Sequence, residues 1–323
     1  MADYTPTLDA VISNFNAEDV EFIFFEWPQK LGISVFDIGI SLRLSGQEFK
    51  GRGIDSYEHI AIEKACSEVL ERFLFHKLKL PIGYSSAVHT EKHEAENAAF
   101  LEAIERDSFL LPFLRKEKPS VIERSEYTHI LPLDIDKKFQ IQFEMLNLPV
   151  EVSGVFSYCL VAKGENFIQP FSVIVGFGCT RDRNRSMGKS VYECLARLSP
   201  IILEQERISE IENINENQLH FNAGLDLNYK PDFFFFKKPM ANHLLVGGQN
   251  DPIRNNSEIQ ETFEITSEID ENKSFSGIFF SNYYNPKLQS LFRGSAISEV
   301  LNFDRLGIEE ETLCLIEKQL HPI

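Results

Sequence analysis

The chain has 323 residues, of which 43% are hydrophobic and 25% are charged, as in ordinary globular proteins with a well-buried core. Its formal net charge of −17 argues against a nucleic-acid-binding protein, because affinity for phosphate backbones comes from Lys and Arg. The sequence has no apolar stretch long enough to span a bilayer and no signal-peptide pattern at its start. Its five cysteines are widely spaced without a CxxC pair, which favours free thiols in a cytoplasmic protein over disulfides or a zinc site.

The N-terminal part of the chain is predicted to form two strands and a long helix. Residues 20–27 and 34–44 have the apolar and alternating patterns of strands. Two glycines within residues 50–53 predict a turn, after which Asp55 or Ser56 caps a helix over about 57–79. The apolar positions of this helix recur every three or four residues, so we expect one of its faces to be buried.

The rest of the chain mixes strands and helices. A loop over residues 83–89 leads to a second predicted helix, which begins at Thr90 and ends near Pro112. Strands are predicted within residues 127–178 (FQIQFEML, SYCLVAK and FSVIVGFG). A third helix begins near Ser186, is interrupted at Pro200 and is followed by a further helix to about Glu212. More strands (DFFFFKK, HLLVGG and FSGIFFSNYY) and a helix over about 308–319 complete the chain.

A unit of strand, glycine-containing loop and glutamate-bearing helix recurs three times in this layout, although its second copy has no obvious strand. The copies lie around residues 35–79, 83–112 and 171–199. No linker rich in Pro, Gly or Ser divides the chain, so we expect one domain over residues 1–323. Its class is α/β, more narrowly α+β, with mixed sheets packed against helices. The motif-bearing core spans about 34–212, and residues 213–323 complete the sheet.

Two predicted helices carry the same phrase, Glu-x-x-Glu-Arg. It comprises Glu68, Glu71 and Arg72 in the first helix and, 34 residues later, Glu102, Glu105 and Arg106 in the second. Glu94 shares a helix face with Glu102 and Glu105, because a helix turns about 100° per residue. Glu193 lies on the third helix. Such carboxylates suit Mg²⁺ bound to phosphates, to which Arg52 and the two motif arginines could add charge-assisted bonds. The alternative is that the motifs are exposed i,i+4 ion pairs, each contributing a few tenths of a kcal/mol.

Three longer blocks of sequence follow one another between about residues 50 and 200. They are KGRGIDSYEHIAIEKACSEVLERF, GYSSAVHTEKHEAENAAFLEAIERDSF and GFGCTRDRNRSMGKSVYECLARL. The first two end in Glu-x-x-Glu-Arg motifs, and the third joins a glycine-rich strand end to a helix with a glutamate. This combination resembles the YcaO family, whose members bind ATP and Mg²⁺ through glutamates instead of a Walker loop. The resemblance implies an α/β fold with this site between helices and sheet.

The resemblance also implies roles for individual residues. It assigns Mg²⁺ to Glu68, Glu71, Glu102 and Glu105, and nucleotide contacts to Arg52, Arg72, Glu94, Arg106 and Glu193. The chain departs from the family at Lys64, Ala87, Thr90 and Ala196, where members often carry small or neutral polar residues. We therefore expect an intact set of carboxylates beside altered neutral contacts to the nucleotide.

The activity implied by the resemblance is ATP-dependent activation of peptide backbone amides. In azoline-forming members, a Cys, Ser or Thr of a precursor peptide attacks the preceding carbonyl, and the resulting oxygen takes the γ-phosphoryl group of ATP. We therefore expect a cyclodehydratase that makes thiazolines or oxazolines. His321, in the short tail that ends the chain, is the candidate general base. The length leaves no room for a fused leader-binding domain, so we expect an E1-like or similar partner and a hetero- or homo-oligomer.

Three alternatives stay open at this point. Sister reactions of the family use external sulfide to form thioamides or an internal amine to form amidines, and the short tail is compatible with both. A catalytically weak YcaO-like subunit that scaffolds a synthetase complex would account for the altered neutral contacts. An acidic binding protein whose motifs are surface ion pairs would not bind nucleotide at all.

Overall fold

A computed structural model describes ten stretches of the chain, and all statements about the structure refer to them. They are residues 6–25, 27, 33–80, 84–115, 119–131, 141–164, 173–204, 278–285, 287–289 and 302–307. The chain divides into two compact units, with residues 1–103 and 261–285 in unit 1 and residues 104–260 and 286–323 in unit 2. The prediction of one continuous domain stays a prediction.

Unit 1 contains a three-stranded antiparallel sheet, a two-stranded antiparallel sheet and helices. Its elements are α1 (Pro6–Asn14), β1 (Val20–Phe24), β2 (Phe36–Leu44), β3 (Gln47–Asp55), α2 (Glu58–Lys77), β4 (Ser85–His89), the first half of α3 (Lys92–Arg115) and β9 (Phe279–Tyr283). The larger sheet has the strand order β1-β2-β3, and the smaller one pairs β4 with β9. The division between the units falls inside α3, after Ala103.

The core of unit 1 lies between α2 and the three-stranded sheet. Ile40 and Leu42 of β2 pack in one buried cluster with Val69 and Leu70 of α2, to which α1 adds Val11. Burying an aliphatic side chain of this size contributes about 1.5–3 kcal/mol relative to leaving it exposed. This burial holds α2 against the sheet and thereby fixes the positions of the glutamates that α2 carries.

Unit 2 contains a four-stranded antiparallel sheet with the strand order β5-β6-β7-β8. Its described elements are the second half of α3, β5 (Ser120–Ile122), β6 (Ile141–Leu148), β7 (Phe156–Gly164), β8 (Val173–Thr180), α4 (Arg183–Glu204) and α5 (Phe303–Leu306). Helix α4 packs on β8 and β7. The rings of Phe109 in α3 and Phe177 in β8 meet edge to face with centroids 4.7 Å apart, so α3 also contributes to this core.

A buried ion pair links α3 to the C-terminal part of unit 2. The guanidinium of Arg305 holds both oxygens of Asp107, with Nη2–Oδ2 at 2.6 Å and Nε–Oδ1 at 3.1 Å, and its Nη1 lies 2.7 Å from Glu151. The backbone N–H of Gln289 donates to the same Asp107 at 2.8 Å. Arg115 donates to the carbonyl oxygens of the last two residues of α5 at 2.5 and 2.7 Å. These bonds fasten α5 and the segment around Gln289 to α3.

Most predicted elements with a clear apolar period are confirmed. The strands predicted over 20–27 and 34–44 correspond to β1 and β2, and the helix predicted over about 57–79 corresponds to α2. The three runs predicted as strands within residues 127–178 form β6, β7 and β8. The last apolar run, FSGIFFSNYY, contains β9. The mixed α/β class is also as predicted.

Five local predictions are wrong. The stretch 50–53 is not a turn but part of β3, and the supposed loop 83–89 contains β4, so the second copy of the repeat does have a strand. Pro112 lies inside α3, where the buried side chains on both sides of it keep the helix on its core, and α4 continues through Pro200 to Glu204 after the buried residues Leu198 and Ser199. The N-cap of α2 is Tyr57, whose N–H donates to the Asp55 carboxylate at 3.1 Å.

The predicted strands DFFFFKK and HLLVGG, the helix over 308–319 and the tail with His321 lie outside the described residues. Within the described residues, no helix combines the length and apolar character that crossing a membrane requires. Four cysteines, Cys66, Cys159, Cys179 and Cys194, are free and buried. Burial raises the pKa of the Cys66 and Cys179 thiols to about 12, so these thiols stay protonated and unreactive at neutral pH.

Candidate functional site

Three strands each precede a helix in the same geometric register. The pairs are β3 with α2, β4 with α3, and β8 with α4. In each pair, the N–H of a residue in the strand donates to a glutamate that lies 16 residues later in the helix. The bonds are Arg52 N to Glu68 at 2.6 Å, Ser86 N to Glu102 at 2.9 Å and Phe177 N to Glu193 at 2.6 Å. The structure therefore contains three copies of the strand–helix repeat, each with an oriented carboxylate.

Small residues on the strands make this register sterically possible. A Cβ added to Gly53 of β3 would lie 1.8 Å from the carbonyl oxygen of Ala61, and one added to Gly178 of β8 would lie 2.0 Å from that of Ser186. Gly51 and Gly176, two residues earlier in each strand, contact the next turn of the same helices. Because the helix backbone touches the strand directly, the glutamate in the helix can reach the strand N–H.

The second copy uses alanine and serine where the others use glycine. Ser85 and Ala87 of β4 occupy the positions that correspond to Gly51 and Gly53 of β3. Helix α3 has the small residues Ala95 and Ala99, both fully buried, at the offsets where α2 has Ala61 and Ala65. Ala87, which departs from the family pattern, thus stands at a position whose counterparts in the repeat are glycines.

An arginine four residues after the glutamate completes the first and third copies. Arg72 donates to Glu68 at 2.5 Å and to the carbonyl of Lys50 at 2.6 Å. Arg197 makes the equivalent bonds, to Glu193 at 2.6 Å and to the carbonyl of Val175 at 3.0 Å. Sequence reasoning missed Arg197, although the spacing Glu-x-x-x-Arg was present in the third block. Both oxygens of each carboxylate are therefore held, one by the strand and one by the arginine.

Strand β4 brings two predicted metal ligands of unit 1 to a single serine. Ser86 donates its N–H to Oε2 of Glu102 from α3, and its hydroxyl Oγ lies 3.0 Å from Oε1 of Glu71 from α2. Glu68, three residues before Glu71, is held by the N–H of Arg52. The three glutamates that the sequence assigns to metal binding in unit 1 are thus all oriented by residues of β3 and β4.

In unit 2, the ammonium of Lys189 forms an ion pair with the carboxylate of Glu105. The Nζ–Oε2 distance is 2.8 Å, and sequence reasoning missed this lysine. Desolvation acts to lower the pKa of Lys189, but the carboxylates of Glu105 and Glu193 outweigh it, so the pKa is raised and the ammonium stays charged. Burial raises the pKa of Glu193, as does Glu105, while Arg197 opposes the rise. Unit 2 therefore holds a charged cluster of two carboxylates and two basic groups.

Arg52 forms an ion pair with the buried carboxylate of Asp37. Its Nε and Nη2 donate to the two oxygens of Asp37 at 2.7 and 2.6 Å, and Asp37 also accepts a bond from the indole of Trp27 at 2.5 Å. The guanidinium lies 4.4 Å from the ring centroid of Phe25. Register across the sheet explains the pairing, because Arg52 lies opposite Gly39, and Asp37 is two residues from Gly39 along β2 on the same face of the sheet. A nucleotide contact by Arg52 would share a guanidinium that Asp37 already binds.

The other predicted site residues are placed as follows. Glu94 lies in the first turn of α3 and is exposed, and Arg106 follows Glu105 in the same helix. His89 ends β4, where its Nδ1 accepts the N–H of Glu91 at 3.0 Å. Lys64 donates to the carboxylate of Asp55 at 2.7 Å instead of joining the glutamates. His321 lies outside the described residues.

The donor chemistry of unit 1 fits Mg²⁺. Within the described part of the chain, no three His, Cys, Asp or Glu side chains are gathered closely enough to hold a metal ion by themselves. The carboxylates of Glu71 and Glu102 nevertheless offer hard oxygen ligands, and each carboxylate oxygen has two lone pairs, so a bond to Ser86 leaves capacity for a cation. Metal-binding carboxylates in proteins are commonly oriented by hydrogen bonds of this kind. Assignment of Mg²⁺ to these glutamates stays a prediction.

Comparisons with known proteins support the mixed α/β fold described above. A family model described as YcaO cyclodehydratase, ATP- and Mg²⁺-binding, matches residues 85–281. The structure of YcaO from Methanopyrus kandleri bound with AMPPCP and Mg²⁺ has 14% identity and a TM-score of 0.50, over 76% of this chain and 75% of that one. A chain of the E. coli microcin synthetase McbBCD complex has 10% identity and a TM-score of 0.56, over 94% of this chain and 96% of that one. No curated protein sequence matches the chain.

At these identities the two solved structures bear on the fold alone, which they share with this chain. The family model is more informative, since it covers more than half of the 323 residues and includes the second and third copies of the strand–helix repeat. Its description names ATP and Mg²⁺ as the cofactors. The chain belongs to the YcaO family.

Proposed function

We propose that the protein uses ATP and Mg²⁺ to activate backbone amides of a ribosomally made precursor peptide. The reaction we assign is cyclodehydration of Cys, Ser or Thr residues to thiazolines or oxazolines. Membership of the YcaO family supports an ATP-dependent enzyme. The observation that carries the proposal is the set of helix carboxylates held by strand N–H groups, because carboxylates that are already oriented bind a metal ion at lower ordering cost.

Three residues of unit 1 are the proposed metal ligands. Glu71 and Glu102 approach Ser86 from different helices, and Glu68 is fixed between the N–H of Arg52 and the guanidinium of Arg72. Preset carboxylates of this kind lower the ordering cost of binding a cation. Glu105 and Glu193 belong to unit 2 and keep the roles that the sequence predicts for them, as Mg²⁺ ligand and nucleotide contact.

The basic residues have a separate task. When bound, ATP would supply the phosphoryl group that turns an amide oxygen into a leaving group, and Mg²⁺ would offset charge on the phosphates. The side chains of the protein have to hold these cofactors and balance the negative charge of the phosphates. Arg72 holds the carboxylate of Glu68 in a fixed orientation, and we assign Arg72 and Arg106 to charge compensation near the phosphates. Glu94 and His321 keep their predicted roles, as nucleotide contact and general base.

Replacing Glu102 with glutamine tests the assignment. The change removes one negative charge but keeps an oxygen that can accept the N–H of Ser86, so the fold should survive. We expect affinity for Mg²⁺–ATP to fall by about 100-fold, because a charged oxygen ligand is lost. Calorimetric titration with ATP in the presence of MgCl₂ measures this change.

Glu96→Gln is the matched control, since Glu96 lies on α3 outside the motif. It should bind Mg²⁺–ATP as the unaltered protein does. Equal affinity of Glu102→Gln and the unaltered protein would show that Glu102 is not a ligand. Absence of Mg²⁺–ATP binding by the unaltered protein would contradict the proposed function itself and favour the acidic binding protein.

A subunit role in a larger synthetase is the second candidate. Two observations favour it: the binding of Arg52 to Asp37, which occupies a predicted nucleotide contact, and the fold shared with a chain of the McbBCD synthetase complex over nearly its full length. In either case we propose that a separate partner recognises the precursor peptide. ATP hydrolysis that rises when precursor peptide and partner are added supports the enzyme, whereas hydrolysis unaffected by both supports a scaffold subunit. Product analysis then separates azolines from thioamides and amidines.

A further inference from the structure

Asn282, on β9, has a buried side-chain oxygen without a hydrogen bond. The residue is 3% exposed, and its Oδ1 finds no donor in the part of the chain that the structure describes. A buried acceptor left in this state costs about 1–3 kcal/mol, and few native groups remain so. The orphaned oxygen therefore indicates a partner that does not belong to the described chain.

The register of the small sheet places this oxygen beside the glutamates of unit 1. Asn282 lies directly opposite Ser86 in the β4–β9 pair, and residues opposed in this way project to the same face of a sheet. Phe280, two residues earlier on the same face, packs in the cluster that contains the core residues of α2. The side chain of Asn282 thus shares a face with the Ser86 hydroxyl, which lies 3.0 Å from Glu71.

The groups on this face select a cation. The carboxylate of Glu71 and the amide oxygen of Asn282 both accept hydrogen bonds, and the Ser86 hydroxyl lies within bonding distance of Glu71. The negative charge of Glu71 would repel a phosphate at this position, whereas a hard divalent cation takes carboxylate, carbonyl and hydroxyl oxygens as ligands. We propose that Asn282 Oδ1 is a ligand of the divalent cation held by Glu71 in unit 1. This inference rests on the proposed function and adds a neutral ligand that its glutamate motifs do not contain.

The neighbouring Ser281 supplies a matched control. Its hydroxyl is also buried and without a hydrogen bond among the described residues. Ser281 lies opposite Ala87, so it projects to the other face of the sheet. That face is turned to α3, as the edge-to-face contact of Tyr283 with Phe100 shows at a centroid distance of 5.4 Å. Two adjacent orphaned oxygens are therefore available, and one of them shares the face of Ser86 and Glu71.

Asn282→Leu and Asn282→Asp separate a ligand from a structural residue. Leucine keeps the approximate volume and removes the orphaned oxygen, so the unfolding temperature without metal should be unchanged or higher. We expect affinity for Mn²⁺, a substitute with the same preference for oxygen, to fall by about 10- to 100-fold in Asn282→Leu. Asn282→Asp should bind Mn²⁺ at least as tightly as the unaltered protein, since it offers a charged oxygen at the same place. Ser281→Ala should bind normally.

Electron paramagnetic resonance of free Mn²⁺, titrated against each full-length variant, gives these affinities without relying on turnover. Folded Asn282→Leu with unaltered Mn²⁺ affinity would overturn the proposal for Asn282, while Mg²⁺–ATP binding by the unaltered protein leaves the proposed function standing. Equal weakening of ATP binding in EDTA and in MgCl₂ would also overturn it, because the oxygen would then contact the nucleotide. An unaltered protein that binds neither Mn²⁺ nor Mg²⁺–ATP would contradict both proposals.

Discussion

Replacing Gly178 with alanine should destabilise the protein by about 3 kcal/mol or prevent it from folding. A Cβ at this position would lie 2.0 Å from the carbonyl oxygen of Ser186 and 2.8 Å from the N of Ser190. Both atoms belong to the backbone of α4, so no side chain can rotate away and the whole helix would have to move. That movement would also stretch the bond from Phe177 to Glu193. The free energy of unfolding from urea denaturation measures the loss.

Gly188→Ala is the control for this prediction. Gly188 lies inside α4 with no heavy atom within 4 Å of an added Cβ, so alanine meets no clash there. Alanine is favoured over glycine in a helix interior by about 1 kcal/mol, and the variant should be as stable as the unaltered protein or more so. If Gly178→Ala were as stable as Gly188→Ala, the close approach of α4 to β8 would be disproved, and with it the register that aims Glu193.

The second large effect is expected at Asp107. Its replacement by alanine leaves the guanidinium of Arg305 with Glu151 alone and removes the acceptor for the N–H of Gln289. Removing one partner of a buried ion pair costs about 3–5 kcal/mol, because the remaining charge stays buried. We expect a loss near 3 kcal/mol, since Glu151 continues to compensate Arg305. Thermal and urea unfolding of the variant test this value.

The exposed ion pair of Arg43 and Glu21 is the control for this prediction. Arg43 and Glu21 lie 3.0 Å apart with both side chains more than half exposed, and Glu21→Gln should change stability by less than about 0.5 kcal/mol. The double variant Asp107→Ala with Arg305→Met should recover part of the loss, because the buried charge is then gone as well. A loss at Asp107 no larger than that at Glu21 would mean that α5 is not fastened to α3 by this pair.

The sequence predicts the helices and the longer strands well because their apolar residues recur with a clear period. Strand β4 was missed because SSAVH is short and rich in small residues, and because its partner β9 is remote in the chain. The stretch 50–53 was predicted as a turn because two glycines usually mark one. In β3 they instead admit the backbone of α2. Contact with a distant helix is not encoded in a local pattern.

The candidate site, like the fold, is predicted by the sequence only in part. The glutamates follow from the motifs, but the partner of Arg52 depends on the pairing of β2 with β3, which no local pattern reveals. Arg197 could have been found, because it follows Glu193 by the same four residues that separate Arg72 from Glu68. Ala196 concealed it, because it stands at the position where Glu71 precedes Arg72 in the first copy. Asn282 could not have been found, because its place beside Ser86 depends on strand register alone.

The strand–helix repeat has a consequence for the order in which the chain assembles during synthesis. Its N–H-to-glutamate bonds close loops of 16 residues, which form quickly and at small entropic cost. Pairing of residues 85–89 with 279–283, by contrast, waits until most of the chain has left the ribosome. Helices α2 and α3 can thus fix Glu68 and Glu102 early, while the proposed amide ligand on β9 arrives near the end. The growing chain is therefore expected to acquire its affinity for the cation in unit 1 only late in synthesis.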